Sequence, residues 1–430
     1  MTWRRKIKII DIGEFFAKRL LTAVNNIFMS QTYKIMIVVG EVSGDAHGAH
    51  LVTALREISL PETIEFFGST GQKLRLGGVE TIVKADNLSI VGLPEIARAL
   101  PMFWRAFKRL KQAAIERQPD AVILVDFPEF NLKLAKSLKK KNLKIIYYIS
   151  PQLWAWRKYR VKTIKKYVDL LLAILPFEKE WYRVQGVSHV EFVGNPLAGE
   201  VKALYGKAEF CAKHRLEATQ PIVALLPGSR QKEIVRILPL LLETASFMTE
   251  KNQTLQFVVA LATERQLEEV QKIIKKAAEN NLKLPKNLLV VAERTREILN
   301  ASDAAAVTSG TATLEAAIIG TPLAIVYRTS AFNYKLLRPL IDVAHFGLIN
   351  LIAKKRVAAE LFQNEFTIET LSAELFRLLE PSENERMRAE LKEAVETLGD
   401  GGAAARAARE ILNFLRIKHA AEKQTNKRIN

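Results

Sequence analysis

Residues 222–238 read IVALLPGSRQKEIVRIL, and this run decides the class of fold. The five apolar residues Ile222–Leu226 form the short unbroken run that a strand shows when both its faces are covered. Pro227-Gly228-Ser229-Arg230 then turns the chain, and beyond it Ile234, Ile237 and Leu238 recur at helical spacing. A buried strand that turns directly into an amphipathic helix is half of a βαβ unit. It implies a parallel sheet covered by helices.

The same figure repeats on either side. Apolar runs at 34–39, 121–125, 144–149, 170–175 and 190–193 predict one series of strands, and 222–226, 257–261, 288–291, 304–307 and 323–326 predict a second. Gly194-Asn195-Pro196 separates them, followed by a linker with one helix up to Gln220. Each series reads as its own Rossmann-like α/β unit, over 33–200 and 201–370. Ligands of such sheets bind beyond the carboxyl ends of the strands, so two facing sheets would put a site in the cleft between them. After Thr367 the pattern turns helical, making 371–430 a C-terminal helical part whose basic tail, 423–430, is expected to fray.

A length of 430 residues fits two such domains. Cys211 is the only cysteine, which excludes an internal disulfide and a cysteine-based zinc site and suits the cytoplasm. The net charge of +18 favours an anionic partner without choosing among nucleic acid, a bilayer surface and phosphorylated small molecules. No apolar run approaches the ~18 residues of a membrane span. Residues 1–32 stand apart: Arg4, Arg5, Lys6 and Lys8 precede Ile9, Ile12, Phe16, Leu20, Ala23 and Ile27 at helical spacing. Two readings stand side by side, an amphipathic stripe that lies on a membrane and a start read too early, with Met29 the true beginning. Asp11, Glu14, Lys18 and Arg19 interrupt any secretory signal.

Four strand-to-helix loops hold residues suited to chemistry. In the first, Glu41, Ser43, Gly44 and Asp45 follow Gly40, and free amides at a helix start suit a polar or anionic ligand; Ser43 and Asp45 serve equally well as turn and cap residues. In the second, Asp126 ends an apolar strand before Phe127-Pro128, where partial burial would make it a general base, although a helix-capping acid fits the same position. In the third, Gly228, Ser229 and Arg230 combine a flexible backbone, helix-start amides and a permanently charged fork, a good cradle for a diphosphate. In the fourth, Ser309, Gly310, Thr311 and Ala312 lead to Glu315, a carboxylate able to accept hydrogen bonds from ribose hydroxyls or to answer the helix dipole.

Other features read more plainly. His47 and His50 lack a third metal ligand. The segment 154–160 mixes Trp154, Trp156 and Tyr159 with basic residues, as single-strand nucleic-acid binders do, but no nucleic-acid module surrounds it, which leaves a cleft wall or packing. Pro101 is expected to start a helix with Phe103, Phe107 and Leu110 inward and Trp104, Lys108 and Lys111 outward. That outer face suits a membrane interface or open water.

Taken in order, six motifs make the chain resemble the lipid-A-disaccharide synthase family, from Tyr33 to about residue 415. They are Gly40-Glu41-Val42-Ser43-Gly44-Asp45, Val125-Asp126-Phe127-Pro128-Glu129-Phe130, residues 148–157, Leu175-Pro176-Phe177-Glu178-Lys179, residues 225–230 and residues 309–315. The resemblance implies a GT-B glycosyltransferase that needs no metal or other cofactor. Its donor would be UDP-2,3-diacylglucosamine and its acceptor 2,3-diacylglucosamine 1-phosphate. Inversion at the sugar would give a β-1,6-linked disaccharide and UDP. The resemblance further implies Asp126 as base, Arg230 and the 309–315 turn as UDP ligands, and Asn350 in the cleft, although Ile349 stands where the family usually has proline. Peripheral binding at the anionic inner face of the cytoplasmic membrane and a homodimer through the C-terminal helices also follow, with no nucleic-acid partner. Rival readings are another UDP-aminosugar transferase or a UDP-sugar epimerase of the same fold, and, from another class, a basic nucleic-acid-binding protein.

Overall fold

The computed structural model describes residues 32–429 apart from 61, 89–92 and 331–344, so the stripe expected between Ile9 and Ile27 lies outside the described residues. Strands β1 Thr32–Val38, β2 Thr63–Thr70, β3 Glu80–Lys84, β4 Ala121–Val125, β5 Ile145–Tyr148, β6 Leu170–Ala173 and β7 Val190–Phe192 make a seven-stranded sheet in the order β3-β2-β1-β4-β5-β6-β7. A six-stranded sheet follows from β8 Ile222–Leu226, β9 Gln256–Leu261, β10 Leu288–Ala292, β11 Ala304–Thr308, β12 Leu323–Tyr327 and β13 Glu360–Phe362, in the order β10-β9-β8-β11-β12-β13. The central strands pair in parallel, β1 with β4 and β8 with β11, and the unbroken apolar runs of β4 and β8 are wholly buried. This is the fold class expected from the alternating pattern.

Three strands escaped the sequence reading. The apolar run of β2 is interrupted by Glu65, Gly68 and Ser69, β3 is a half-exposed edge strand, and β13 has three residues. None offers an apolar run long enough to stand out.

Each sheet reverses direction once. The chain leaves β1 toward β2 and β3, then returns to lay β4 on the other side of β1; β8, β9, β10 and β11 repeat the move. Helices that start from the two strands flanking such a reversal diverge, opening a crevice at the carboxyl ends of those strands. The loops after β1 and β4, and after β8 and β11, are the four singled out above.

Two compact units result: one runs up to Pro151 and includes 163–172 and residues from Ala404, and the other comprises 152–162 and 173–403. The last helix, Ala403–Ile429, continues through the tail expected to fray, consistent with its Ala, Glu, Lys and Arg content. It belongs to the first unit, where Arg416 meets both oxygens of Glu62 at 3.0 and 3.1 Å.

Candidate active site

At the first reversal the chain leaves β4 through Asp126 and Phe127, whose φ values are +47° and +50°. Two successive side-chain-bearing residues in the left-handed region are strained, and such strain persists only where the surroundings enforce it. The Asp126 amide donates to the Tyr148 carbonyl at 3.0 Å. Its carbonyl accepts from the Tyr147 hydroxyl at 2.6 Å and from Asn131 Nδ2 at 2.8 Å. Burial pushes the Asp126 carboxyl up to about 6, and the charge of Glu41 adds to the effect against the hydrogen bond of the Phe127 backbone. The following helix, Pro128–Lys139, takes Phe127 as its N-cap, and the Asp126 carboxyl accepts from the Phe127 backbone amide.

Among the first-loop residues, Glu41 and Ser43 are exposed and Gly44 is buried. Asp45 is buried and does cap a helix, though not its own. Its carboxylate accepts the amides of Gly71 at 2.8 Å, Lys73 at 2.7 Å and Leu74 at 3.2 Å at the start of the helix Gln72–Leu76. The capping role was legible in the sequence; the distant partner was not.

The second reversal brings the third and fourth loops together. Val307 lies in register with Leu226, and the Thr308 hydroxyl donates to the Leu226 carbonyl at 2.8 Å. Gly228 has φ +109°, a conformation that L side chains rarely adopt. Glu233, three residues into the helix Gln231–Lys251, accepts the amides of Ser229 and Arg230, each at 3.2 Å, and the Arg230 guanidinium at 3.2 Å. The groups suited to a diphosphate are thus satisfied by an internal carboxylate, a relationship the sequence reading missed although the cap-box spacing signals it. It also missed Gln266, which donates to the Ser229 carbonyl at 2.6 Å and accepts the amides of Ala262 and Thr263 at 3.0 and 3.3 Å, tying the loops after β8 and β9.

In the fourth loop, Gly310 and Thr311 are exposed, Ser309 and Ala312 are half-buried, and the Ser309 amide donates to Val326 at 2.9 Å. Glu315 sits beyond the first turn of the helix Thr311–Ile319, with Arg296 Nη2 at 3.7 Å. Burial raises its carboxyl above the usual range, and Arg296 opposes that shift. Asn350 is wholly buried. It donates to Ala358 and Glu360 at 2.8 and 2.9 Å and accepts the amides of Val357 and Ala358 at 2.9 Å, stapling the approach to β13.

The helix expected to start at Pro101 runs over Leu93–Arg117 and carries Pro101 inside it. Its inner face is as expected: Leu110 is buried, and Phe103 and Phe107 pack at 6.3 and 5.8 Å on Phe127 and Phe130. Outside, Trp104 is 59% exposed with Lys108 Nζ 3.5 Å from its ring centre, and Lys111 is half-buried. In the aromatic segment, Trp154 is a packing residue that donates to buried Glu178 at 3.0 Å, while Trp156 is exposed beneath Arg157. Among the described residues, no three His, Cys, Asp or Glu side chains gather as a metal site would need, and no helix is long and apolar enough to cross a membrane.

Comparison with known proteins agrees with this arrangement. The family model for lipid-A-disaccharide synthetase matches residues 35–411. The chain is 41% identical over 388 residues to a lipid-A-disaccharide synthase of Myxococcus xanthus, covering 90% of this chain and 99% of that one. It is 39% identical over 386 residues to one from Geobacter sulfurreducens, covering 89% and 98%. Among solved structures, a UDP co-structure of S. aureus MnaA superposes with a TM-score of 0.60 at 14% identity, covering 89% of this chain and 97% of that one, a likeness of fold alone. With a family model spanning most of its length and relatives matched nearly end to end, the chain belongs to the lipid-A-disaccharide synthase family.

Proposed function

We propose that this enzyme forms the lipid A disaccharide by transferring a 2,3-diacylglucosaminyl group from UDP to the 6-hydroxyl of 2,3-diacylglucosamine 1-phosphate. The observation that carries this reading is the Asp126 carboxyl at the first reversal, raised to about 6 by burial. Such a group is mostly ionised at neutral pH yet basic enough to take a proton from a bound hydroxyl. The acceptor oxygen then bonds to the anomeric carbon of the donor from the face opposite UDP. The bond from that carbon to the β-phosphate oxygen breaks, and UDP leaves with the electron pair. One displacement inverts the anomeric centre.

Arg230 and the amides of Ser229 and Arg230 hold the diphosphate in the place of the Glu233 carboxylate, with Gly228 and the turn Ser309, Gly310, Thr311 and Ala312 beside it. Glu315 takes the ribose hydroxyls. Glu41, Ser43 and Gly44 line the acceptor side near Asp126, while Asp45 shapes that loop through its cap. Both substrates carry acyl chains, so the enzyme works at the anionic inner face of the cytoplasmic membrane through Trp104, Lys108 and Lys111. A homodimer through the C-terminal helices completes the reading.

Incubation of the purified protein with the two acylated precursors tests it by mass spectrometry. UDP and a tetraacyl disaccharide phosphate are expected. Turnover of UDP-N-acetylglucosamine alone would replace this reading with another aminosugar enzyme of the same fold.

A further inference from the structure

The turn that carries Asp126 costs conformational energy, and the residues enforcing it identify themselves by their hydrogen bonds. Tyr147 is wholly buried in β5, in register with Leu124 of the neighbouring strand β4, and its hydroxyl ends 2.6 Å from the Asp126 carbonyl oxygen. Asn131, wholly buried in the helix that follows the turn, reaches back with Nδ2 to the same oxygen at 2.8 Å and to the Val125 carbonyl at 3.2 Å. Its Oδ1 is buried and meets no donor among the described residues. An amide with one buried end unsatisfied is a poor choice for stability, because an apolar residue of the same shape avoids that penalty. Against that penalty stand the bonds of Nδ2 to the Asp126 and Val125 carbonyls.

We propose that Asn131 and Tyr147 are positioning residues for the acceptor-activating carboxylate, clamping the Asp126 carbonyl with two donors so that the left-handed turn, and with it the place of the carboxylate, is held. Without them the strained pair Asp126-Phe127 relaxes toward ordinary φ values. The carboxylate would then leave the place it occupies and become hydrated and less basic. Within the same turn, Phe127 stacks on Phe130 with 5.6 Å between ring centres.

This inference rests on Asp126 being the base, and the test separates the two. Asp126→Asn, Tyr147→Phe and Asn131→Leu are assayed across pH with the acylated substrates, alongside UDP calorimetry and thermal melting. Tyr147→Phe and Asn131→Leu are each expected to lower kcat about tenfold, on the scale of one lost hydrogen bond, with UDP affinity unchanged. Their acid limb should move below the wild-type position near 6, because a relaxed turn admits water to the carboxyl. Near-normal turnover in Asp126→Asn would dismiss the base and the clamp with it. An inactive Asp126→Asn beside unmoved kcat and limb in the other two would overturn the clamp alone. So would a fall in kcat that follows only the folded fraction, with the limb in place. Tyr147→Phe removes a single oxygen and keeps the ring, so the test stands if Asn131→Leu does not fold.

Discussion

The ring of Phe127 covers Gly40 so closely that a Cβ on Gly40 would come within 2.2 Å of Phe127 Cδ1. The loops after β1 and β4 are therefore fitted to each other, and the strained turn of Asp126 is part of that fit. Gly40→Ala must displace the ring, which belongs to the residue next to Asp126. We expect at least a tenfold loss of kcat with UDP affinity unchanged, since a displacement of about an ångström at a general base is costly. Normal kcat in a folded Gly40→Ala protein would show that the turn tolerates movement.

Activity should report the raised carboxyl directly. The kcat/KM profile is expected to rise with an apparent pKa near 6 and level off above pH 7. Asp126→Asn should lower turnover by roughly two to four orders of magnitude and abolish the limb. Glu41→Gln removes a like charge and should shift the limb downward. A limb that ignores both substitutions belongs to another group.

Folding stability gives the same group a second signature, with a definite sign. The folded protein binds the Asp126 proton with a pKa of about 6 against 3.8 ordinarily, so stability falls as pH rises from about 4 to about 6 and stays lower above. The penalty at pH 7.5 amounts to at most about 3 kcal/mol. Asp126→Asn should consequently melt higher than wild type at pH 7.5, with the gap closing toward pH 4. A lower melting temperature at pH 7.5 would mean that the carboxylate stabilises the fold.

Glu233 and Arg230 make opposite predictions for the nucleotide. Arg230→Ala should weaken UDP binding by about 1.5 to 3 kcal/mol, the range for a hydrogen bond to a charged group. Glu233→Gln should tighten it, because the carboxylate now on the Ser229 and Arg230 amides competes with the diphosphate. Calorimetry decides both. Weaker binding in Glu233→Gln would make Glu233 a brace for the loop and not a competitor.

The exposed pair Trp104 and Lys108 predicts salt-sensitive attachment to anionic vesicles. Each basic residue near the surface contributes about 1 kcal/mol, screened by salt. Cosedimentation should drop in the Lys108→Glu/Lys111→Glu protein and in high salt. Unchanged binding in both would move the lipid contact to another surface.

By itself the sequence determined the local elements and the residues able to do chemistry. Unbroken apolar runs such as Ile222–Leu226 can only be buried, and the glycines, hydroxyls and charges that follow them fall in strand-to-helix turns. Those are consequences of nearest-neighbour pattern, so ten of the strands and all four loops were legible, whereas β2, β3 and β13 lack an apolar run and were not. The tertiary structure alone decided that β1 lies beside β4 and β8 beside β11, which makes neighbours of loops more than eighty residues apart. It alone decided that Asp45 caps a helix 26 residues away, that Glu233 sits on the proposed anion site, and that Asn350 is enclosed. Above all it decided the basicity of Asp126: a carboxyl pKa is set by the water taken from it and by charges such as Glu41, and both depend on contacts made across the sheet.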